Sequence, residues 1–197
     1  MYGKTLYALA VAVVLALGAA FFVVQSSSQD GKTYKNSVNA FELTYPSDLD
    51  IKEYTDDIAT IGHVDNDTVD GLVDVRVITA QGEAGQTMQD AVADQLKNLC
   101  AADGPTTTFS CTTTLSTEPF VTDNGDEGFV LLLNGELKHL ASSTVESVPH
   151  GPYYVLPIAT SATISKVLVI MPPLNQSAAE ADGDLIQAVA KTVYFSK

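Results

Sequence analysis

Hydrophobic residues fall along this chain in three kinds of run. Residues 6–24 (LYALAVAVVLALGAAFFVV) carry no charged side chain and no polar face. At about 1.5 Å per helical residue the run extends about 28 Å, close to the thickness of a bilayer's hydrocarbon core. Elsewhere apolar positions alternate. Phe41, Leu43 and Tyr45 interleave with Glu42 and Thr44, and Val73, Val75 and Val77 with Asp74 and Arg76. A period of two predicts half-buried strands, here over residues 41–45 and 72–80, and an antiparallel sheet with one solvated side. The third kind has helical spacing. Met88, Val92, Leu96 and Leu99 form one stripe, and Leu185, Ile186, Val189 and Val193 another.

The remaining elements follow from what bounds them. Thr87 with Asp90, and Ser177 with Glu180, predict the starts of the two helices. Further strands are expected over 49–54, 58–64, 109–114, 118–122, 129–133, 153–160 and 166–171. The run over 129–133 is apolar on both faces, as a central strand would be. Pro46-Ser47-Asp48 and Asp123-Asn124-Gly125-Asp126 read as turns, Pro172-Pro173 as a stop, and residues 139–147 as irregular. The order is strands, helix, strands, helix. That predicts an α+β fold, a mostly antiparallel sheet flanked by two main helices and preceded by an N-terminal transmembrane helix.

The domain plan is therefore a short flank (1–5), a transmembrane anchor or signal segment (6–24), a flexible polar tether (25–38) and one α+β domain (39–197). Two fates suit the apolar segment. As an anchor it gives a single-pass membrane protein with its soluble domain outside the cytoplasm. As a signal peptide, with Gly18-Ala19-Ala20 or Ser26 at the cut, it gives a secreted one. Lys4 on one side and Lys32 and Lys35 on the other nearly balance the positive-inside count. The cysteines favour the outside. Cys100 and Cys111 are the two in the chain, spaced for neither zinc nor a Cys-x-x-Cys redox motif. A disulfide closing the short loop between them suits an oxidising compartment; two buried thiols are the alternative.

Charge narrows the partners. The chain carries 10 Lys and Arg against 24 Asp and Glu, a net charge of −14. Lys4 is the one charged side chain before Asp30, so the acidity belongs to the soluble part. Nucleic acids are gripped through Lys and Arg, so DNA and RNA are excluded as partners. Solubility is the plain consequence of such a balance, and a face for a basic protein partner or for divalent cations is the sharper one.

The run Asn39-Ala40-Phe41-Glu42-Leu43-Thr44-Tyr45-Pro46-Ser47 resembles the opening of PsbP-like domains, in which a phenylalanine strand runs into a Tyr-Pro turn. The order of elements from residue 39 to 197 resembles that family too, including the last helix leading into Lys191-Thr192-Val193-Tyr194-Phe195. The resemblance implies a central antiparallel sheet between helices. It also implies a non-enzymatic accessory or binding role, because members of the family serve in that way.

The residues themselves offer little catalysis. The histidines are His63, His139 and His150. No Gly-x-Ser-x-Gly elbow accompanies them, and no paired-histidine metal motif. A hydrolase would need His63 or His139 to meet a serine and a carboxylate in a cleft. Asp65, Asp67 and Asp70 make a candidate calcium loop, since hard cations take carboxylate oxygens. Its spacing departs from the EF-hand, with Val69 and Asp70 where an oxygen ligand and Gly are needed. Gly82-Glu83-Ala84-Gly85 is no phosphate loop, and its acid would repel one. Asn66-Asp67-Thr68 and Asn175-Gln176-Ser177 match the glycosylation acceptor pattern. His150-Gly151-Pro152-Tyr153-Tyr154 is an aromatic segment that either presents tyrosines to a partner or packs them inward as a strand begins. The expectation is a membrane-tethered extracytoplasmic binding module without catalytic activity or a required cofactor; a calcium-responsive acidic domain and a hydrolase are the alternatives.

Overall fold

The computed structural model describes residues 31–65, 68–83, 85–100, 102–103, 107–160, 164–174 and 180–196. The expected membrane segment and the first half of the tether lie outside them, as do Asn66, Asp67 and Asn175. Among the described residues, no helix is long and apolar enough to cross a membrane.

The strands are β1 (Gly31–Asn36), β2 (Phe41–Pro46), β3 (Asp50–Thr55), β4 (Ile58–Asp65), β5 (Thr68–Gln81), β6 (Ala102–Asp103), β7 (Thr107–Val121), β8 (Glu127–His139), β9 (Val145–Thr160), β10 (Ile164–Met171) and β11 (Tyr194–Phe195). The helices are α1 (Met88–Leu99) and α2 (Gly183–Lys191). Eight strands form one sheet in the order β3-β4-β5-β10-β9-β8-β7-β6, and β1-β2-β11 form a second. Every neighbouring pair in the large sheet is antiparallel.

The large sheet buries both faces. On one, Ile61, Val73, Val75, Leu156, Leu168 and Ile170 pack with Phe41 and Leu43 of the small sheet and Ile186 and Val189 of α2. On the other, Ile78, Ala80, Leu131, Leu133, Val155, Val167 and Val169 pack with Val92 and Leu96 of α1. Successive residues of β10 thus enter opposite cores, which is why its sequence is an unbroken apolar run rather than an alternation.

This corrects the expected solvated face. Asp74 and Arg76 do point away from Val73 and Val75, but Asp74 is buried there. The expected tether gives way over residues 31–36 to β1, whose Tyr34 joins the core. Residues 139–147 run from the end of β8 through the hairpin turn into β9, with the His139 amide donating to the Thr144 carbonyl at 2.9 Å. The two short strands expected over 109–114 and 118–122 are one strand, β7. Its pairing with β8 slips at Cys111/Thr113 and again at Thr114/Ser116. These two bulges leave Thr112 to Leu115 exposed, so no alternation survives there.

Helix α1 starts as expected, with the Thr87 hydroxyl accepting from the Asp90 amide at 3.1 Å. The expected cap of the second helix, Ser177, lies outside the described residues, and α2 begins at Gly183. Asp182 is its cap, accepting from the Leu185 amide at 3.0 Å. An acidic side chain in that place also complements the positive end of the helix dipole.

Candidate functional site

The polar groups best placed for chemistry lie inside the fold, on the α1 side of the large sheet. Strand β9 brings two of them together by breaking its own alternation. Residues 150 and 153 stand three apart, so a regular strand would turn them to opposite faces. Leu133 pairs with His150 and Leu131 with Tyr153, which sets Gly151 and Pro152 against Leu132 alone. That bulge turns both side chains inward. Gly151 holds a φ of +128°, a conformation L side chains rarely adopt. Pro152 follows it through a cis peptide bond.

His150 is 1% exposed and Tyr153 0%. Tyr153 Oη and His150 Nδ1 share a hydrogen bond, and Nε2 stands 3.4 Å from the Leu174 carbonyl. The two rings stack at 5.5 Å, and Phe109 flanks the imidazole at 5.4 Å. Burial pushes the Tyr153 phenol well above its ordinary range, against a smaller opposing effect of the Arg76 charge. Burial also holds His150 below the ordinary imidazole value, partly offset by the Leu174 carbonyl. The interior pair is thus neutral imidazole and neutral phenol near pH 7.

Cys100 and Cys111 complete this cluster. Cys100 ends α1 as its C-cap, and Cys111 sits on β7. They form a disulfide with Cα atoms 5.7 Å apart, stapling the helix end to the strand. The two sulfurs and a ring nitrogen of His150 lie within 4.8 Å of one another.

A second polar group lies on the same face. Thr60 donates to Asp74 Oδ1 at 2.6 Å across the β4–β5 pair. Arg76 Nη2 donates to Asp74 Oδ2 at 3.0 Å, and Nε to the same oxygen at 3.3 Å. These groups are occupied with one another.

The other residues singled out by sequence are scattered. Asp65 pairs with Thr68 and Asp70 with His63 on the exposed β4–β5 hairpin. Asp65 and Asp70 therefore share one face of that hairpin, diagonally placed; Asp67 lies outside the described residues. His139 meets Glu146 at 3.3 Å across the β8–β9 hairpin, far along the strands from His150. The segment from His150 to Tyr154 is a buried strand rather than an exposed aromatic loop. Its tyrosines enter opposite cores, Tyr154 against the Phe120 ring at 4.9 Å.

The sequence left that segment either presented to a partner or packed inward as a strand begins, and gave His150 no role of its own. The signal for it was present: Gly-Pro inside an apolar strand marks a bulge, and a bulge re-aims side chains.

No family model matches the chain, and no curated protein sequence matches it. Among solved structures it is similar to the cyanobacterial PsbP (CyanoP) of Synechocystis sp. PCC 6803, at 12% identity and a TM-score of 0.43, over 87% of this chain and 95% of that one. It is also similar to a crystal structure from Bacteroides thetaiotaomicron VPI-5482, at 20% identity and a TM-score of 0.31, over 85% of this chain and 49% of that one.

Proposed function

We propose that the chain is an accessory binding module without chemistry of its own, carried outside the cytoplasm on residues 6–24, and that its partner is a protein with a basic surface. The observation that carries the reading is a charged edge. Asp48, Asp50, Glu53, Asp56 and Asp57 are all exposed on β3 and the turns at its ends, and β3 is an outer strand of the large sheet. Lys32 answers Asp50 at 2.6 Å, and Lys52 lies over the Tyr54 ring at 5.8 Å. The acids still outnumber the bases along this edge, and a field of one sign steers an oppositely charged partner. The interior supports the same reading from the other side. His150, Tyr153, Asp74 and Thr60 have partners within the chain and no exposed face toward a substrate.

The test uses the full chain cross-linked in its own membranes. The expected result is a protein partner whose recovery falls with rising salt and falls again in a Glu53→Lys, Asp56→Lys variant. Turnover of a small-molecule substrate, with partner recovery indifferent to salt and to those reversals, overturns the reading. Full-length protein free in cytosolic extract overturns the address.

A further inference from the structure

We propose that the Cys100–Cys111–His150 cluster is a redox-gated metal site, closed as a disulfide when oxidised and taking a thiophilic divalent cation of the zinc class when reduced. The geometry is nearly assembled. Two sulfurs and one imidazole nitrogen, from three separate elements, already lie within 4.8 Å of one another. Around a tetrahedral zinc with bonds of about 2.0–2.3 Å, such ligands stand about 3.5–3.8 Å apart. Opening the disulfide and admitting the ion therefore asks for shifts well under the size of a side chain. The backbones of α1, β7 and β9 can stay where they are.

The chemistry balances. A dithiol reductant opens the sulfur–sulfur bond to two thiols and leaves as its own disulfide. A divalent cation then releases both thiol protons to solvent and is held by two thiolates and a neutral imidazole. Two negative ligands cancel the ion's charge, so the complex adds no net charge to an apolar surround. A monovalent or trivalent ion would leave one.

His150 is prepared for that role. Burial keeps it in the neutral form that binds metal. Its Nδ1 meets Tyr153 Oη, and a phenol oxygen can accept as well as donate, so the same partner can hold the ring with its proton on Nδ1 and Nε2 turned to a metal. Nε2 has one contact, with the Leu174 carbonyl at 3.4 Å, the long limit of a hydrogen bond; giving Nε2 up to a metal moves the ring proton to Nδ1, where Tyr153 Oη accepts it. With three protein ligands the fourth position falls to water.

The experiment uses the full chain in detergent, reduced with a phosphine, with Co2+ and Zn2+ as probes. The expected result is one Co2+ per chain, with the intense visible bands of a tetrahedral site and thiolate charge-transfer absorption. Zn2+ should bleach both. Cys111→Ser should remove the charge-transfer band and weaken Zn2+ binding more than tenfold. Tyr153→Phe should keep the band and weaken binding about tenfold. The oxidised chain should show neither band. Weak bands without charge transfer mark surface carboxylate and histidine binding and overturn the proposal. So does a reduced chain that stays folded by circular dichroism and retains no Zn2+ on desalting. If reduction unfolds the chain, Zn2+ must restore the folded spectrum; failure to do so is equally fatal.

Discussion

Tyr153 and His150 hydrogen-bond on one face of β9 because the strand carries one residue more than its neighbour between them. The pair lies against the disulfide, and each partner satisfies a polar atom that no water reaches. Tyr153→Phe would leave His150 Nδ1 buried and unpaired, at a cost of about 1–3 kcal/mol. Chemical denaturation of the oxidised protein measures it. The double variant with His150→Phe should cost less than the sum of the two single changes, as expected of residues in contact.

The same pair sets a pH window. His150 titrates lower in the fold than in the unfolded chain, where imidazole has its ordinary value near 6.5. As pH falls below that value the unfolded chain gains a proton that the folded one refuses, so stability falls toward acid. Tyr153 is raised above the ordinary phenol value of 10, so above pH 10 the unfolded chain ionises first and stability falls toward alkali. Tyr34, Tyr45 and Tyr154, also raised by burial, add to the alkaline loss. Melting temperatures between pH 5 and 11 should form a plateau with two falling limbs, and His150→Phe should flatten the acid limb alone.

Asp74 holds Thr60 and a half-buried Arg76 at once. Asp74→Ala strands a guanidinium with little water around it, and a loss of about 3–5 kcal/mol is expected. Replacing Asp74 and Arg76 together by apolar residues should recover much of it. Urea midpoints for the two variants decide between these outcomes.

Gly151 is required by its backbone. A Cβ there would meet the Leu131 carbonyl oxygen and the Tyr153 ring, each at 3.1 Å, in a conformation already hostile to L residues. Gly151→Ala should destabilise by about 1–3 kcal/mol and perturb the Tyr153 near-ultraviolet signal. Gly85 also has a positive φ, but a Cβ there meets nothing within 4 Å, so Gly85→Ala should cost less.

Breaking the staple gives a fifth measurement. Closing so short a loop contributes about 2–3 kcal/mol in the chain-entropy account. The Cys100→Ser, Cys111→Ser protein should lose about that much relative to the oxidised chain.

What the sequence made legible was whatever depends on local period. The alternation of Phe41, Leu43 and Tyr45 and the stripe through Val92 and Leu96 stand in the structure as read. What it hid depends on partners far along the chain. Asp74 looks solvated beside Val73 and Val75, because nothing local reveals that α1 and its own sheet partners cover that side. Thr107 to Val121 looks like two strands, because bulges at Thr112 and Leu115 interrupt the period without interrupting the ladder. His150 and Tyr153 look opposed until the extra residue between them is counted. The charged edge was legible only as a total, since net charge says nothing of where the acids gather.

The placement of β10 governs how this chain can come to be folded. It lies between β5 and β9, pairing Ile170 with Val75 on one side and Tyr154 on the other. The centre of the sheet therefore closes only when almost the whole polypeptide is available. Until then β5 and the β8–β9 hairpin have greasy unsatisfied borders. Contacts so distant in sequence form slowly and invite mispairing meanwhile. A chain built this way gains by having its helix–strand staple oxidised only after the last central strand has slotted in.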